Sequence, residues 1–264
     1  MDWEVRIPSL NWLADKALNG PGGASRENDD DFGGTSFDEA VARARYGWPE
    51  RARQASRMLK SITAQLPMYT VQNATIASVT GAYVDVGAYT EGIPESMVDF
   101  LPDKRRLTHV QIRVSGGYNC GVAAQQATLR GIAIAAIVDL LESKGIRCTV
   151  VVWVRIQGNG DGYLDMYQEI KSASQPLNLD ALVFALGQPP YFRRLIFGLM
   201  ETFPKEVIRA FNIYAGGGYG HTIDIPNPED GTIVYQTLKA GDRWTEEYAV
   251  KRALATLRQL EAAT

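Results

Sequence analysis

The sequence predicts an α/β fold, with a mainly parallel central sheet flanked by helices and an N-terminal helical extension. Three observations predict it. Residues 107–114 read as a strand, 115–121 as a glycine-containing turn and 122–144 as a long apolar helix that Gly145 closes, with a second strand over 146–156, which together make a βαβ unit. That second strand, IRCTVVVWV, is apolar enough to be covered by helices on each face, as in a parallel sheet, and the crossover is expected to be right-handed. Finally, 45% hydrophobic and 22% charged residues is an ordinary globular balance that can bury a sizeable core.

A chain of 264 residues fits one α/β unit. The expected division is a helical extension over 1–66, with a mobile loop at 19–34, followed by the α/β domain over 67–264. A net charge of −3 and an isoelectric point near 5.5 exclude a basic footprint spread over the whole surface, leaving only local basic faces. Cys120 and Cys148 are the only cysteines, and the opening MDWEVRIPSLNWLADK has acidic residues and no long apolar core. These features point to a reducing, cytoplasmic setting and not to a secretory leader. The longest apolar stretches, around 131–141 and 149–154, fall short of the roughly 18–20 residues that cross a bilayer, so no membrane partner is expected.

In chain order, a short N-terminal helix precedes the loop NGPGGASRENDDDFGG, which has turn composition and no apolar periodicity. Its three consecutive aspartates read as a solvated acidic loop, since calcium loops space their oxygens along the chain. Thr35 or Ser36 offers an N-cap with an acidic first turn, and Gly47–Pro49 divides this helix from a second over 49–66. Over 37–66, Arg43, Arg45, Arg51, Arg53, Arg57 and Lys60 outnumber the acids by three charges. Residues 70–89 alternate as two short strands around Gly81. After the βαβ unit come the GNGDG turn at 158–162, an expected helix over 163–174, a helix over 179–186, and a helix or strand over 191–203. Expected strands at 207–214 and 232–238 and an amphipathic helix over 244–262 complete the chain.

The order of apolar strand, Ser/Gly turn, long helix and return strand over 107–200 resembles the von Willebrand factor A-type domains of the cobaltochelatase-subunit kind. A Rossmann-like unit fits the same order. In metal-binding A-type domains the first strand ends in D-x-S-x-S, whose oxygens hold magnesium. The matching stretch here is Arg113-Val114-Ser115-Gly116-Gly117, which puts a cation in place of the aspartate and lacks the second hydroxyl. The resemblance therefore implies a metal-independent scaffold, with an AAA+ ATPase as one implied partner. The chain also resembles an uncharacterised tailed-bacteriophage family, grouped as a domain of unknown function. The residues that carry this likeness are Phe32–Phe37 (FGGTSF), Gly47-Trp48-Pro49, Asp85-Val86, Gly92–Glu95 with Met97, and Arg130-Gly131. A phage setting follows from that resemblance.

The first candidate site is Ser115-Gly116-Gly117-Tyr118-Asn119, where a strand hands over to a helix and open α/β sheets place ligands, with Arg113 as countercharge. A plain tight turn is the competing reading, because neither G-x-G-x-x-G nor G-K-[ST] is present. The loop at 216–221, with Gly218 and His221, is the second, since histidine titrates near neutral pH. If the sheet is open, both loops and the 158–162 turn share one cleft. Asp85, Glu91 and Glu95 form a carboxylate group that reads more simply as solvated loop acids and a capping aspartate. Cys120 lies near a helix start, where thiols are activated, though cysteine is also common in cores. No C-x-x-C or H-x₃₋₅-H pair signals zinc, and no cofactor or metal is expected.

Together these features favour a non-enzymatic binding or adaptor protein that engages a protein partner. The alternatives are an enzyme acting on a nucleotide or nucleic acid at the 115–119 turn, with Arg113, Tyr118 or His221 assisting, and nucleic-acid binding through Arg43, Arg51, Arg53, Arg57 and Lys60.

Overall fold

The computed structural model describes residues 2–26, 35–65, 75–81, 83–100, 109–119, 121–158, 160–214, 218–228 and 232–262. They form two compact units, a larger one over Met1–Ala64 and Thr108–Ala263 and a smaller one over Gln65–Leu107. The larger unit opens with β1 (Trp3–Ile7), α1 (Leu10–Leu18), α2 (Phe37–Tyr46) and α3 (Pro49–Gln65). The smaller unit carries β2 (Thr75–Ser78), β3 (Tyr83–Val84), α4 (Val86–Thr90) and β4 (Met97–Phe100). The larger unit resumes with β5 (His109–Ser115), α5 (Ala124–Ser143), β6 (Arg147–Gln157), β7 (Tyr163–Lys171) and α6 (Leu179–Gly187). A π-helical turn (Tyr191–Ile196), α7 (Phe197–Met200), α8 (Lys205–Ala210), β8 (Ile213–Tyr214) and β9 (Gly218–Tyr219) follow, then β10 (His221–Thr222), β11 (Ile233–Tyr235) and α9 (Glu246–Ala262).

The fold is α/β, a mostly parallel central sheet flanked by helices. Strand order is β1-β7-β6-β5-β11, with β10 paired to the end of β6. The pairs β1/β7, β5/β6 and β5/β11 are parallel, whereas β6/β7 and β6/β10 are antiparallel. The βαβ unit is present as β5-α5-β6, and Gly145 at φ 79 ends its helix in the left-handed conformation a C′ glycine supplies. Helix α5 is apolar on all sides, and 14 of its residues are buried, all of Ala127 to Leu141 except Asp139. By length and composition it could span a bilayer, but here it is the core helix, crossing α6 where Gly131 meets Gly187.

Four elements differ from expectation, the first being residues 86–90, which form the short helix α4 where the second strand of 70–89 was expected. Residues 163–171 form β7, not a helix, because Tyr163, Asp165 and Tyr167 alternate with Leu164, Met166 and Gln168 and the short 158–162 turn folds them back on β6 as a hairpin. Residues 205–210 are helical, leaving only two residues of the strand expected at 207–214. The first residues form β1, an edge strand of the main sheet and no part of a helical extension. The start of the 19–34 loop is also tied into this unit. Glu201 accepts hydrogen bonds from the backbone N–H of Gly23 and Ser25 and from the Ser25 hydroxyl, while the buried Arg194 donates to the carbonyls of Ser25 and Thr35. Residues 27–34 lie outside the described residues.

The sheet is buried unequally. One row (Val110, Ile112, Val114, Cys148, Val150, Val152, Val154, Ile156, Leu164, Met166) is fully buried on the helix side, where the Tyr191 hydroxyl reaches Gln168. The alternate row of β6 is only partly buried, so the strand is not enclosed equally on both faces. Val151 and Trp153 lie in that outer row, and their apolar character makes the sequence look buried on both sides. At the start of β6, the buried Lys171 ammonium sits 2.7 Å from the Glu142 carboxylate, which also pairs with Arg147 and accepts from the Cys148 N–H.

In the smaller unit, β4 lies between β2 and β3, antiparallel to both. Asp85 caps α4 by accepting from the N–H groups of Gly87 and Ala88.

Candidate functional site: the strand ends and the outer row of the sheet

The turn after β5 is packed, not hollow. Ser115 donates its hydroxyl proton to Thr237 Oγ1 at 2.9 Å, since the one proton of Thr237 goes to the Ile223 carbonyl. The Ser115 carbonyl accepts from the buried Arg130 guanidinium at 2.7 Å. A Cβ on Gly116 would lie 2.5 Å from Val152, and one on Gly117 2.4 Å from Thr222, so close approach and not a positive φ requires glycine at both positions. Tyr118 is buried beside Phe192, with Arg193 4.9 Å from its ring, and burial pushes its hydroxyl's titration far up. Asn119 is exposed and accepts from the Thr222 hydroxyl.

The glycine-rich segments do meet here. His221 and Thr222 pair with Gln157 and Ile156, and Gly220 packs on Ile156. Gly158 packs on Phe211. They meet by contact between backbones and side chains, leaving no room for a methyl group between Gly117 and Thr222. Gly218 and His221 are exposed, and Gly218 takes a φ of 84. Residues 215–217, Asn159 and Cys120 lie outside the described residues. His109 bonds to the Thr149 hydroxyl at 2.9 Å.

Arg113 belongs to the outer row. Its guanidinium turns sideways to Gln111 Oε1 at 3.5 Å and to the Trp153 ring at 5.9 Å. Strand pairing sets Trp153 beside Tyr167 and Arg155 beside Asp165, and Glu4 of the edge strand follows next to Asp165. The indole N–H of Trp153 donates to Asp165 at 2.6 Å, its ring tilts against Tyr167 with centroids 4.7 Å apart, and Arg155 stacks 4.0 Å from the Tyr163 ring. Burial, with the Asp165 and Glu4 carboxylates, pushes the Tyr167 hydroxyl up to about 12, against Arg155 and Arg113. Besides these contacts within the row, Gln111 Oε1 accepts from the Thr232 hydroxyl and the Tyr163 N–H donates to Asp2. The row presents a partly exposed surface of aromatic rings and guanidinium groups.

Among the basic helix residues, Arg43 pairs with Glu39 and stacks 3.5 Å from the Trp48 ring, and Arg51 approaches the same ring while bonding Gln54. Arg53 lies 4.0 Å from Glu50. Arg53, Arg57 and Lys60 are exposed on one stripe of α3, opposite Ala52, Ala55, Met58 and Ile62. Among the described residues no group of three His, Cys, Asp or Glu side chains is arranged to hold a metal.

A protein-family model described as "Domain of unknown function (DUF7192)" matches residues 2–261. The chain belongs to this family. Neither the curated proteins nor the solved structures gave a match. The family match spans both compact units, so the 65–107 insertion lies within the DUF7192 domain.

The outer-row residues Trp153, Arg155, Tyr163, Asp165 and Tyr167 were not among the sequence candidates, although the period-two alternation of YLDMYQEIK could have placed three of them on one face. Arg130 entered the sequence reading only among the residues that carry the family resemblance.

Proposed function

We propose that this chain is a non-enzymatic binding or adaptor protein that engages a protein partner through the outer row of a metal-independent α/β scaffold. The observation that carries the reading is the convergence of Arg113, Trp153, Arg155, Tyr163 and Tyr167 on one partly exposed sheet face, held in place by contacts among themselves. Trp, Tyr and Arg are the residue types that dominate binding energy at protein interfaces, and rigid anchors lose little entropy on docking. Arg113 has no carboxylate within 4 Å among the described residues, so it is suited to an acidic side chain of the partner. The A-type resemblance supports a metal-independent mode, because Arg113 and Gly117 stand where ligands would be needed and the Ser115 hydroxyl is already engaged. A phage-encoded protein acting in the host cytoplasm, with an AAA+ ATPase as partner, is the narrower form of this reading.

The test is capture of the partner from host lysate, followed by affinity measurement with the purified pair. Arg113→Glu and Trp153→Ala should each weaken binding at least tenfold, about 1.4 kcal/mol or more, while Arg57→Glu leaves it unchanged. Wild-type affinity in both outer-row variants would refute the assignment.

A second reading, nucleic-acid binding, is supported by the exposed stripe Arg53, Arg57 and Lys60. Its test is salt-dependent binding of DNA or RNA that is lost in Arg57→Glu/Lys60→Glu, and an absence of binding by the wild type at low salt removes it.

A further inference from the structure

Beside the edge strand β11, residues of α5, β11, the 236–244 segment and α9 line a cavity of about 230 Å³. Its lining includes three arginines, Arg130, Arg243 and Arg252, and one carboxylate, Asp242. Arg130 is only 3% exposed and donates to the carbonyls of Gln236 and Ser115, both at 2.7 Å, while its Nε is itself buried and has no hydrogen-bond partner among the described residues. No carboxylate lies within ion-pair distance of Arg130, Arg243 or Arg252 among the described residues. Asp242 accepts from the Lys239 N–H at 2.8 Å, and so also serves the turn before α9. The cavity thus gathers an excess of two positive charges, one of them in the interior. Arg243 and Arg252 are exposed and screened by solvent, so the uncompensated charge in the interior is that of Arg130, and an anion bound between the three would offset it.

We infer that this cavity is a binding site for a phosphoryl-type oxyanion, with the Arg130 guanidinium at its floor and Arg243 and Arg252 at its rim. Two excess charges match a phosphate dianion, and guanidinium forks suit its oxygens. The size agrees. A water takes up about 30 Å³ of liquid and pockets for drug-sized ligands begin near 300 Å³, so this space suits a phosphoryl group with a few waters. Any larger moiety would project past Tyr248, which is 41% exposed. Burial also lowers the Arg130 titration to about 10, still leaving it cationic at neutral pH.

This inference does not rest on the outer-row reading. The test uses the full chain, titrated calorimetrically with inorganic phosphate and with phosphoserine at constant ionic strength, beside succinate as a carboxylate comparator. One phosphate or phosphoserine should bind per chain, and Arg243→Ala and Arg252→Ala should each weaken it about tenfold. Lys239→Ala, whose ammonium pairs with Asp224, should leave it unchanged. Tighter binding of phosphoserine would identify a carried phosphoryl group, and equal binding the free ion. The site is overturned if neither phosphate compound binds the wild type, if both rim variants bind as the wild type does, or if succinate binds more tightly than either.

Discussion

At the scale of single residues, close packing decides which substitutions the chain can bear. A Cβ on Gly131 would lie 2.2 Å from the Gly187 Cα, a backbone clash that only separation of α5 and α6 could relieve. At Gly187 the nearest contact of an added Cβ is 3.1 Å, to the Thr128 carbonyl, a tight but tolerable distance. Gly131→Ala should therefore destabilise by about 3 kcal/mol, even after the roughly 1 kcal/mol that alanine gains in a helix, and Gly187→Ala by under about 1 kcal/mol. Urea unfolding of the two variants checks the asymmetry. Chemical reactivity follows burial in the same way. Burial and the Glu142 carboxylate push the Cys148 thiol up to about 12, against Lys171 and Arg147, so at neutral pH it is a protonated core residue. Iodoacetamide should leave the Cys148 peptide unmodified in the native protein and alkylate it in urea, as read by mass spectrometry.

Among elements, the β6–β7 hairpin and the end of α5 are joined by the Lys171, Glu142 and Arg147 group. Burial raises the Glu142 carboxyl, but the Lys171 ammonium, the Cys148 N–H and Arg147 outweigh it, and the net shift is downward. A carboxyl depressed in the folded state contributes stability that is present above the ordinary glutamate value and lost as pH falls through the folded value. Stability measured by denaturant should therefore decline on the acid side, and Lys171→Met should make that decline shallower while costing about 3 kcal/mol near neutral pH. An unchanged acid limb in the variant would show that Lys171 is not the group that holds Glu142 charged. How far these elements were legible depends on the kind of signal each carries. The β5-α5-β6 unit was readable because glycine closes a long apolar helix between two apolar strands, and Ser36 and Gly47 marked the ends of α2. β7 was misread because Tyr163, Met166, Tyr167 and Ile170 also fit a helical spacing, and only pairing with β6 decides between the two periods. β1 carries alternation over five residues, too short to speak without its partner β7. At the site, the Ser115–Asn119 turn was found where expected, but its closure depends on Thr222 and Thr237, which are distant in sequence.

For the molecule as a whole, the larger unit's sheet delivers its parallel β5 and β6 to a common end, and the groups at the turn there oppose a divalent ion. The Ser115 hydroxyl is spent on Thr237, its carbonyl on the Arg130 guanidinium, and the residue two positions earlier is the cationic Arg113. A cation at the turn would displace a buried arginine or share its acceptor, and both cost more than an oxygen ligand or two can return. A ligand that binds the native state alone must raise its stability, by about 2.7 kcal/mol at a hundredfold excess over its dissociation constant. Millimolar magnesium, manganese or calcium should consequently leave the Tm where equal ionic strength of sodium chloride leaves it. The measurement is a thermal scan of the full chain with each ion, repeated on Ser115→Ala. A rise with metal that disappears in the serine variant would place an ion at the turn and remove the basis for a metal-independent scaffold.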